Sequence, residues 1–289
     1  MVAIRKIALL LLIGVLAIGV AATPPAGPAS AENTVTQNSL FAQSAAQILQ
    51  REFTGREVSF LLLDVQSGAV LASRWDKPDQ PIPLGSLLKP VVALAYGEEH
   101  QFHYPIHVCH GDAGGCWLPH GHGEIGVTAA IADSCNSYFR MLTTGMTSAD
   151  VIPAATRLGL DLPNPELTGT DLIGIGNRWP ISPLHMARAY LELNRRRDQA
   201  GVRDVIAGMA QSARQGTGTE VDRALKHSRA LVKTGTASCT HDDHSPGDGF
   251  VIALVPAEQP ELLLMVRVHG VPGARAAVTA GRMLSRIEE

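Results

Sequence analysis

From Val58 to Val65 the chain is apolar at almost every position (Val58-Ser59-Phe60-Leu61-Leu62-Leu63-Asp64-Val65), with no alternation that would leave one side wet. Gln66-Ser67-Gly68 and then Ala69-Val70-Leu71-Ala72 follow, so the stretch predicts a β-hairpin whose first strand is covered on both faces. A helix is expected around Leu40–Arg51, and Leu84 to Tyr96 predicts a second, buried one. Val127 to Met141 reads as a helical region interrupted at Asp133-Ser134-Cys135-Asn136. Residues 161–180 are a Pro/Gly-rich loop, and Ser182-Pro183-Leu184 then opens a helix with Pro183 in its first turn. Met186, Ala189, Tyr190 and Leu193 supply that helix's apolar stripe, and Thr217-Gly218-Thr219 marks a turn. Arg229–Ser238 predicts a strand, followed by a polar loop over residues 240–248. Phe250–Val255 and Leu262–Val268 predict two antiparallel strands around Pro256–Pro260, and a helix from about Ala274 to Ile287 closes the chain. Hairpin, long helical middle, strands and terminal helix together imply an α/β (α+β) fold whose antiparallel sheet is assembled from both ends of the chain.

Composition narrows the setting. The 289 residues are 45% hydrophobic and 18% charged, which suits one or two globular domains. A net charge of −3 without a basic block excludes nucleic acid as a natural partner. Arg5 and Lys6 precede an apolar run from Ile7 to Ala22, and Ala29-Ser30-Ala31 forms a small-x-small cleavage site. Residues 1–31 therefore read as a signal peptide or membrane anchor, 32–56 as a linker and first helix, and 57–289 as the folded domain, exported in either case.

Export bears on the four cysteines, Cys109, Cys116, Cys135 and Cys239. In an oxidising compartment Cys109 and Cys116 are expected to form a disulfide, and closing a loop of about eight residues is worth ~2.5 kcal/mol. The same region, 100–124, holds His100, His103, His107, His110, His120 and His122, six of the eleven histidines. Zinc held by Cys109, Cys116 and histidines is the alternative. Export, the disulfide and the irregular spacing weigh against it, so no metal and no cofactor are expected. His122, between two glycines, then fills a structural role.

Chemistry concentrates in Pro83-Leu84-Gly85-Ser86-Leu87-Leu88-Lys89-Pro90. If Ser86 opens a helix, the i, i+3 spacing stacks Ser86 and Lys89 on one face, giving a nucleophile its own base. Backbone N–H groups at the helix start would help hold an oxyanion. On the octapeptide alone a plain N-cap serine followed by a surface lysine is the favoured reading, and the motifs downstream overturn it. Ser134 and Asn136 offer a hydroxyl and an amide from one short turn. Lys233, Thr234 and Thr236 offer a cation and hydroxyls suited to a carboxylate, with Gly235 admitting a substrate backbone.

Ser86-x-x-Lys89, Ser134-x-Asn136 and Lys233-Thr234-Gly235, in that order, resemble the active-site triplet of penicillin-binding proteins and serine β-lactamases. The likeness covers nearly all of residues 57–289. Gly121-His122-Gly123 leading into Ser134–Phe139 is similar to high-molecular-weight penicillin-binding proteins. So are Ile173-Gly174-Ile175-Gly176, Ser182-Pro183-Leu184 and the extended Lys233–Ala237. The resemblance implies a β-lactamase/transpeptidase-like fold, an antiparallel sheet flanked by helices with an all-helical subdomain. It implies that Ser86 is acylated by a D-alanyl-D-alanine peptide, that Lys89 is its base and that Ser134 passes a proton to the leaving amine. Asn136, Lys233, Thr234, Gly235 and Thr236 would bind the donor and its carboxylate, and the N–H groups of Ser86 and Thr236 would form the oxyanion hole.

The implied reaction is D,D-transpeptidation of peptidoglycan, with β-lactams as covalent ligands and other cell-wall synthesis proteins as partners in a periplasmic or extracytoplasmic setting. D,D-carboxypeptidase and β-lactamase are the alternatives within the family, and a non-catalytic penicillin-binding sensor or scaffold is the alternative of another class. Asn164-Pro165-Glu166-Leu167-Thr168 departs from the Glu-Pro-Glu-Leu-Asn pattern of class A β-lactamases, which counts against lactamase action. Glycosyltransferase and pedestal domains of larger members have no counterpart, so a stripped transpeptidase domain is expected.

Overall fold

The doubly apolar run becomes an interior strand. In the computed structural model, which describes residues 29–239 and 247–289 with side chains from Leu40 onward, helix α1 (Ala29–Glu52) precedes strands β1 (Val58–Asp64) and β2 (Val70–Arg74). The chain divides into two units, Met1–Asn38 and Ser39–Glu289, and the second holds every later element. The expected leader up to residue 28, and residues 240–246 of the expected polar loop, lie outside the described residues. Ala29-Ser30-Ala31 falls at the start of α1. Among the described residues no helix is long and apolar enough to cross a membrane.

After β2 come helix α2 (Lys89–Glu99), a two-stranded sheet of β3 (His107–Cys109) and β4 (Gly123–Ile125), then α3 (Val127–Ala132) and α4 (Asn136–Leu142). Helices α5 (Ser148–Arg157), α6 (Pro183–Arg195), α7 (Val202–Gln215) and α8 (Thr219–Ala224) complete the helical middle. Strands β5 (Leu231–Ala237), β6 (Asp248–Val255) and β7 (Leu262–His269) and helix α9 (Gly273–Glu288) close the fold. The main sheet runs β2-β1-β7-β6-β5 and is antiparallel throughout, with β1 paired to β7 in the register Leu61↔Met265. The sheet is thus joined from both chain ends, as expected.

Alternate positions of the strands enter two different cores. Leu61, Leu63, Ile252 and Met265 pack with Val91 and Val92 of α2 and Met186 of α6. Phe60, Leu62, Val251 and Val266 pack with Ala276, Ala280 and Met283 of α9 on the other side. Each such side chain, once fully buried, contributes about 1.5–3 kcal/mol, which explains why β1 and β7 are apolar on both faces. Helix α2 is surrounded on all sides, and accordingly Leu87 through Ala95 are all buried.

Two expectations are corrected. Ser86 lies on a 3-10 turn, Gly85–Leu88, and α2 begins only at Lys89, because Pro90 is tolerated only in a first helical turn. Side chains i and i+3 eclipse in a 3-10 turn, so Ser86 and Lys89 still fall on one side of the chain. The expected Cys109–Cys116 disulfide is not formed, and all four cysteines are free thiols. Instead Cys116 Sγ lies 3.8 Å from Cys135 Sγ and 3.6 Å from His122 Nδ1, so the thiols converge on an imidazole rather than pairing.

Helices α5, α7 and α8 were not among the predicted elements. Pro153 interrupts the pattern of α5, although Thr147 and Asp150 form a capping box at its start. In α7 the stripe Val202, Val205, Ile206, Met209 and Ala213 is buried and carries a helical period.

Strand β5 is the sheet edge, and the 3-10 turn docks against it at a distance only glycine permits. A Cβ on Gly235 would sit 2.6 Å from Leu84 O and 3.0 Å from Leu87 Cγ. One on Gly85, whose φ is +56°, would sit 2.0 Å from Thr236 O. Gly235→Ala is therefore expected to lower unfolding free energy by about 1–3 kcal/mol in urea titration. Unchanged stability would show that the turn is free to retreat from the strand.

Candidate active site

The three sequence motifs meet at one cavity of about 370 Å³, whose lining includes Ser86, Ser134, Asn136, Thr234, Gly235 and Thr236. Each arrives by a different route. Ser86, half-buried, is offered by the 3-10 turn, which Tyr190 of α6 anchors by donating its buried hydroxyl to Leu87 O at 2.9 Å. Thr234, Gly235 and Thr236 come from the edge strand.

Ser134 sits in the break between α3 and α4 with φ +51°, a left-handed conformation that costs a non-glycine residue roughly 1–3 kcal/mol. The break is fixed by Cys135 N donating to Ala130 O at 3.0 Å and by the Cys135 thiol accepting from Tyr138 N at the start of α4. The strained backbone aims the Ser134 hydroxyl between two lysines. Lys89 Nζ reaches Ser134 O and Asn136 Oδ1, both at 2.6 Å, and Ser134 Oγ at 3.3 Å. Lys233 Nζ donates to Ser134 Oγ at 2.9 Å and to Thr234 O at 2.8 Å.

Both lysines are 0% exposed. Burial, the largest cause, pulls Lys89 down to about 7, with the Cys135 and Cys116 thiols opposing and the Arg140 charge assisting. Lys233 is held well below its ordinary value, first by burial and then by the charge of Lys89. A neutral Lys89 keeps two N–H groups for Ser134 O and Asn136 Oδ1 and gains a lone pair that accepts a proton. Ser134 Oγ can then accept from Lys233 and donate to Lys89, making a short proton path.

Several candidate residues are placed differently from what their sequence setting suggests. Lys233 is wholly buried and meets the cavity through the Ser134 hydroxyl rather than from an exposed position. Thr236 accepts at Oγ1 from Gly273 N, the first residue of α9, at 2.9 Å, which leaves its own proton to donate. A Cβ on Gly85 would be 3.1 Å from Thr236 N, so the backbones at Ser86 and Thr236 are adjacent, as a two-donor oxyanion site requires.

Thr217, read only as a turn residue, also lines the cavity; its hydroxyl lies 2.6 Å from that of Thr234 and donates to Ala132 O at 3.2 Å. Trp117 lines it too, with Nε1 donating to Asp133 O at 3.0 Å. Neither carried a signal in sequence beyond its residue type. Of the clustered histidines, His107 bonds Ser137 Oγ at 2.7 Å, His100 stacks on Tyr96 at 3.8 Å, and His122 joins Cys109, Cys116 and Cys135. Cys239, Asp248 and His269 form a second, smaller group of donor side chains.

In its unfolded state Lys89 would bind a proton up to about 10.4, and in the fold it gives that proton up near 7. Between those values the unfolded chain binds more protons, so this group makes stability rise with pH over that window. NMR titration of isotope-labelled lysine is expected to show one Lys89 resonance with its midpoint near 7. A midpoint at the ordinary lysine value would mean that the site is wet.

The family of penicillin binding protein transpeptidase domains matches residues 58–287. No curated protein matches the chain in sequence. Among solved structures, Pseudomonas aeruginosa PBP2 in complex with WCK 5153 gives a TM-score of 0.68 at 16% identity, over 88% of this chain and 73% of that one. The TP domain of Burkholderia pseudomallei penicillin-binding protein 3 gives 0.61 at 18% identity, over 88% and 92%. Helicobacter pylori PBP2, solved in complex with MreC, gives 0.65 at 16% identity, over 86% of this chain and 62% of that one. At such identities the structural likeness establishes the fold alone.

Proposed function

Because the chain belongs to the family of penicillin-binding protein transpeptidase domains, we propose that it is an extracytoplasmic serine D,D-transpeptidase acting on peptidoglycan stem peptides through an acyl-enzyme. The observation that carries this reading is the pair of fully buried lysines sharing the Ser134 hydroxyl beside Ser86. Ser86 Oγ attacks the carbonyl carbon between the two terminal D-alanines, and its proton passes to the neutral amine of Lys89. A base whose pKa lies near the working pH is the effective one, and such help is typically worth about 10²–10⁴ in rate. The N–H groups of Ser86 and Thr236 hold the oxyanion. Ser134 then returns the proton to the departing D-alanine amine, the C–N bond breaks, and Ser86 is left as an ester. An amine of a second stem peptide attacks that ester and regenerates Ser86. Thr234 and Thr236 bind the terminal carboxylate, Gly235 admits the donor backbone, and Asn136 orients the donor while holding Lys89.

The fate of the ester separates the alternatives. No carboxylate lines the cavity among the described residues, and Glu166 is exposed on its loop. Among the described residues no such group stands ready to activate water, which favours a long-lived acyl-enzyme over β-lactamase action. D,D-carboxypeptidase action, in which water rather than an amine takes the ester, is the second reading that the family allows. Other cell-wall synthesis proteins are the proposed partners, in line with the MreC complex of the Helicobacter relative. Residues 57–289 are the proposed catalytic domain, with 1–31 as leader or anchor and 32–56 as its connection.

Intact-mass spectrometry with a penicillin is expected to show one stable adduct on Ser86, absent in Ser86→Ala. Continued labelling of that variant would remove the nucleophile assignment, and rapid loss of the adduct with destruction of drug would move the reading to β-lactamase. Since the free amine of Lys89 is the active form, the acylation rate should rise as pH increases through about 7 and then level off. A flat profile across that range would show that Lys89 is not the base.

A further inference from the structure

Cys109, Cys116, His122 and Cys135 are spread over residues 109–135, yet one donor atom from each lies within 4.8 Å of the others. Cys109 and Cys116 Sγ stand 3.5 and 3.6 Å from His122 Nδ1, and Cys116 Sγ stands 3.8 Å from Cys135 Sγ. A tetrahedral Zn²⁺ with Zn–S of about 2.3 Å and Zn–N of about 2.0–2.1 Å implies edges of about 3.8 Å between sulfurs and about 3.6 Å between sulfur and nitrogen. Three of the six separations match those edges and the others lie within 4.8 Å, whereas a disulfide requires sulfurs at about 2.05 Å.

The surrounding chain is built to bring these donors together. Strands β3 and β4 pair Cys109 with Gly123, which sets His122 beside Cys109. Between them the loop folds back on itself, with Cys116 N donating to Gly111 O and Gly121 N to Leu118 O, each at 3.0 Å. The three thiols are buried, at 2%, 6% and 0% exposure. An odd number of buried thiols in one pocket leaves one over in any disulfide scheme, while three thiolates and an imidazole complete a zinc shell without remainder.

We propose that these four residues bind one structural Zn²⁺, and that the ion fixes the active-site break at Ser134-Cys135-Asn136. Four protein donors leave no open position, so the ion is structural rather than catalytic. Its position matters because Cys135 lies between the two residues that hold Lys89, and Cys116 precedes Trp117, which lines the substrate cavity. One ion therefore ties two walls of that cavity together. The thiols must lose their protons on binding, so the metal is released at acid pH. The assignment reverses the expectation drawn from sequence spacing. It goes beyond the proposed reaction, and only the effect on acylation rests on that reading.

The test uses the full chain as exported and purified without chelator. Elemental analysis should give one zinc per chain, with Cys109, Cys116 and Cys135 protected from alkylation until the metal is removed. Cobalt exchange should give a thiolate-to-cobalt charge-transfer band and the strong visible bands of a tetrahedral site, a readout that needs no variant to fold. Cys116→Ser and His122→Ala should lose the metal. Removing zinc should slow acylation of Ser86 by about 10²-fold, the typical cost of misplacing reacting groups by about 1 Å.

A metal-free chain with a disulfide among the three thiols, or with all three thiols alkylated at once, overturns the proposal. So does zinc that survives both substitutions, or acylation at an unchanged rate after its removal. Stoichiometric zinc in a chain that no β-lactam acylates would instead remove the proposed reaction and leave the metal site standing.

Discussion

Two lysine side chains buried to zero exposure around one serine hydroxyl set the terms for the rest of this structure. Removing an ion from water costs several kcal/mol even after relaxation, and two like charges at such range add to the cost. The fold meets that cost by letting burial pull both amines far below their ordinary values and by filling their remaining valences with Ser134, Asn136 and the Thr234 carbonyl. What results is an amine that is partly neutral near pH 7 and next to a hydroxyl, which are the requirements of a base that serves a serine nucleophile.

Holding that arrangement dry requires a rigid surround, and the architecture supplies it from two sides. Helix α2, buried all round, delivers Lys89 from within the larger core, while the edge strand β5 delivers Lys233 from the sheet. The two approach closely because Gly85 and Gly235 carry no side chain at the seam. Tyr190 then ties the turn to α6, so Ser86 rests on packed elements rather than on a free loop. The left-handed Ser134 is the one strained residue among the catalytic candidates, and it lies where a cluster of thiols and an imidazole can hold it.

The cavity that results is polar where the donor's carboxylate and scissile amide would lie, and it carries no carboxylate among the described residues. On the reading proposed above, this lining serves acylation, and among the described residues it offers water no carboxylate base. This asymmetry separates a transferase, which waits for an amine, from an enzyme that destroys its acyl donor with water.

Much of this was legible in the chain itself. The unbroken apolar run of β1, the antiparallel arms of β6 and β7, the capped start of α6 and the three short motifs are local patterns, and local patterns follow from backbone geometry and side-chain periodicity. The family resemblance of Ser86, Lys89, Ser134, Asn136 and Lys233–Thr236 is of the same kind, and the structure lines one cavity with Ser86, Ser134, Asn136 and Thr234–Thr236 while Lys89 and Lys233 bond Ser134 from behind it. Tertiary structure alone decided what depends on pairing across distance. It set the insertion of β7 between β1 and β6, the contact of Thr217 with Thr234 and the full burial of both lysines. It also decided the fate of the cysteines. Cys109 and Cys116 are near neighbours in sequence and invite a disulfide, but the break between α3 and α4 brings Cys135 into the same pocket. Sequence separation measures loop length, whereas ligand geometry is fixed by where three separate backbone segments happen to cross.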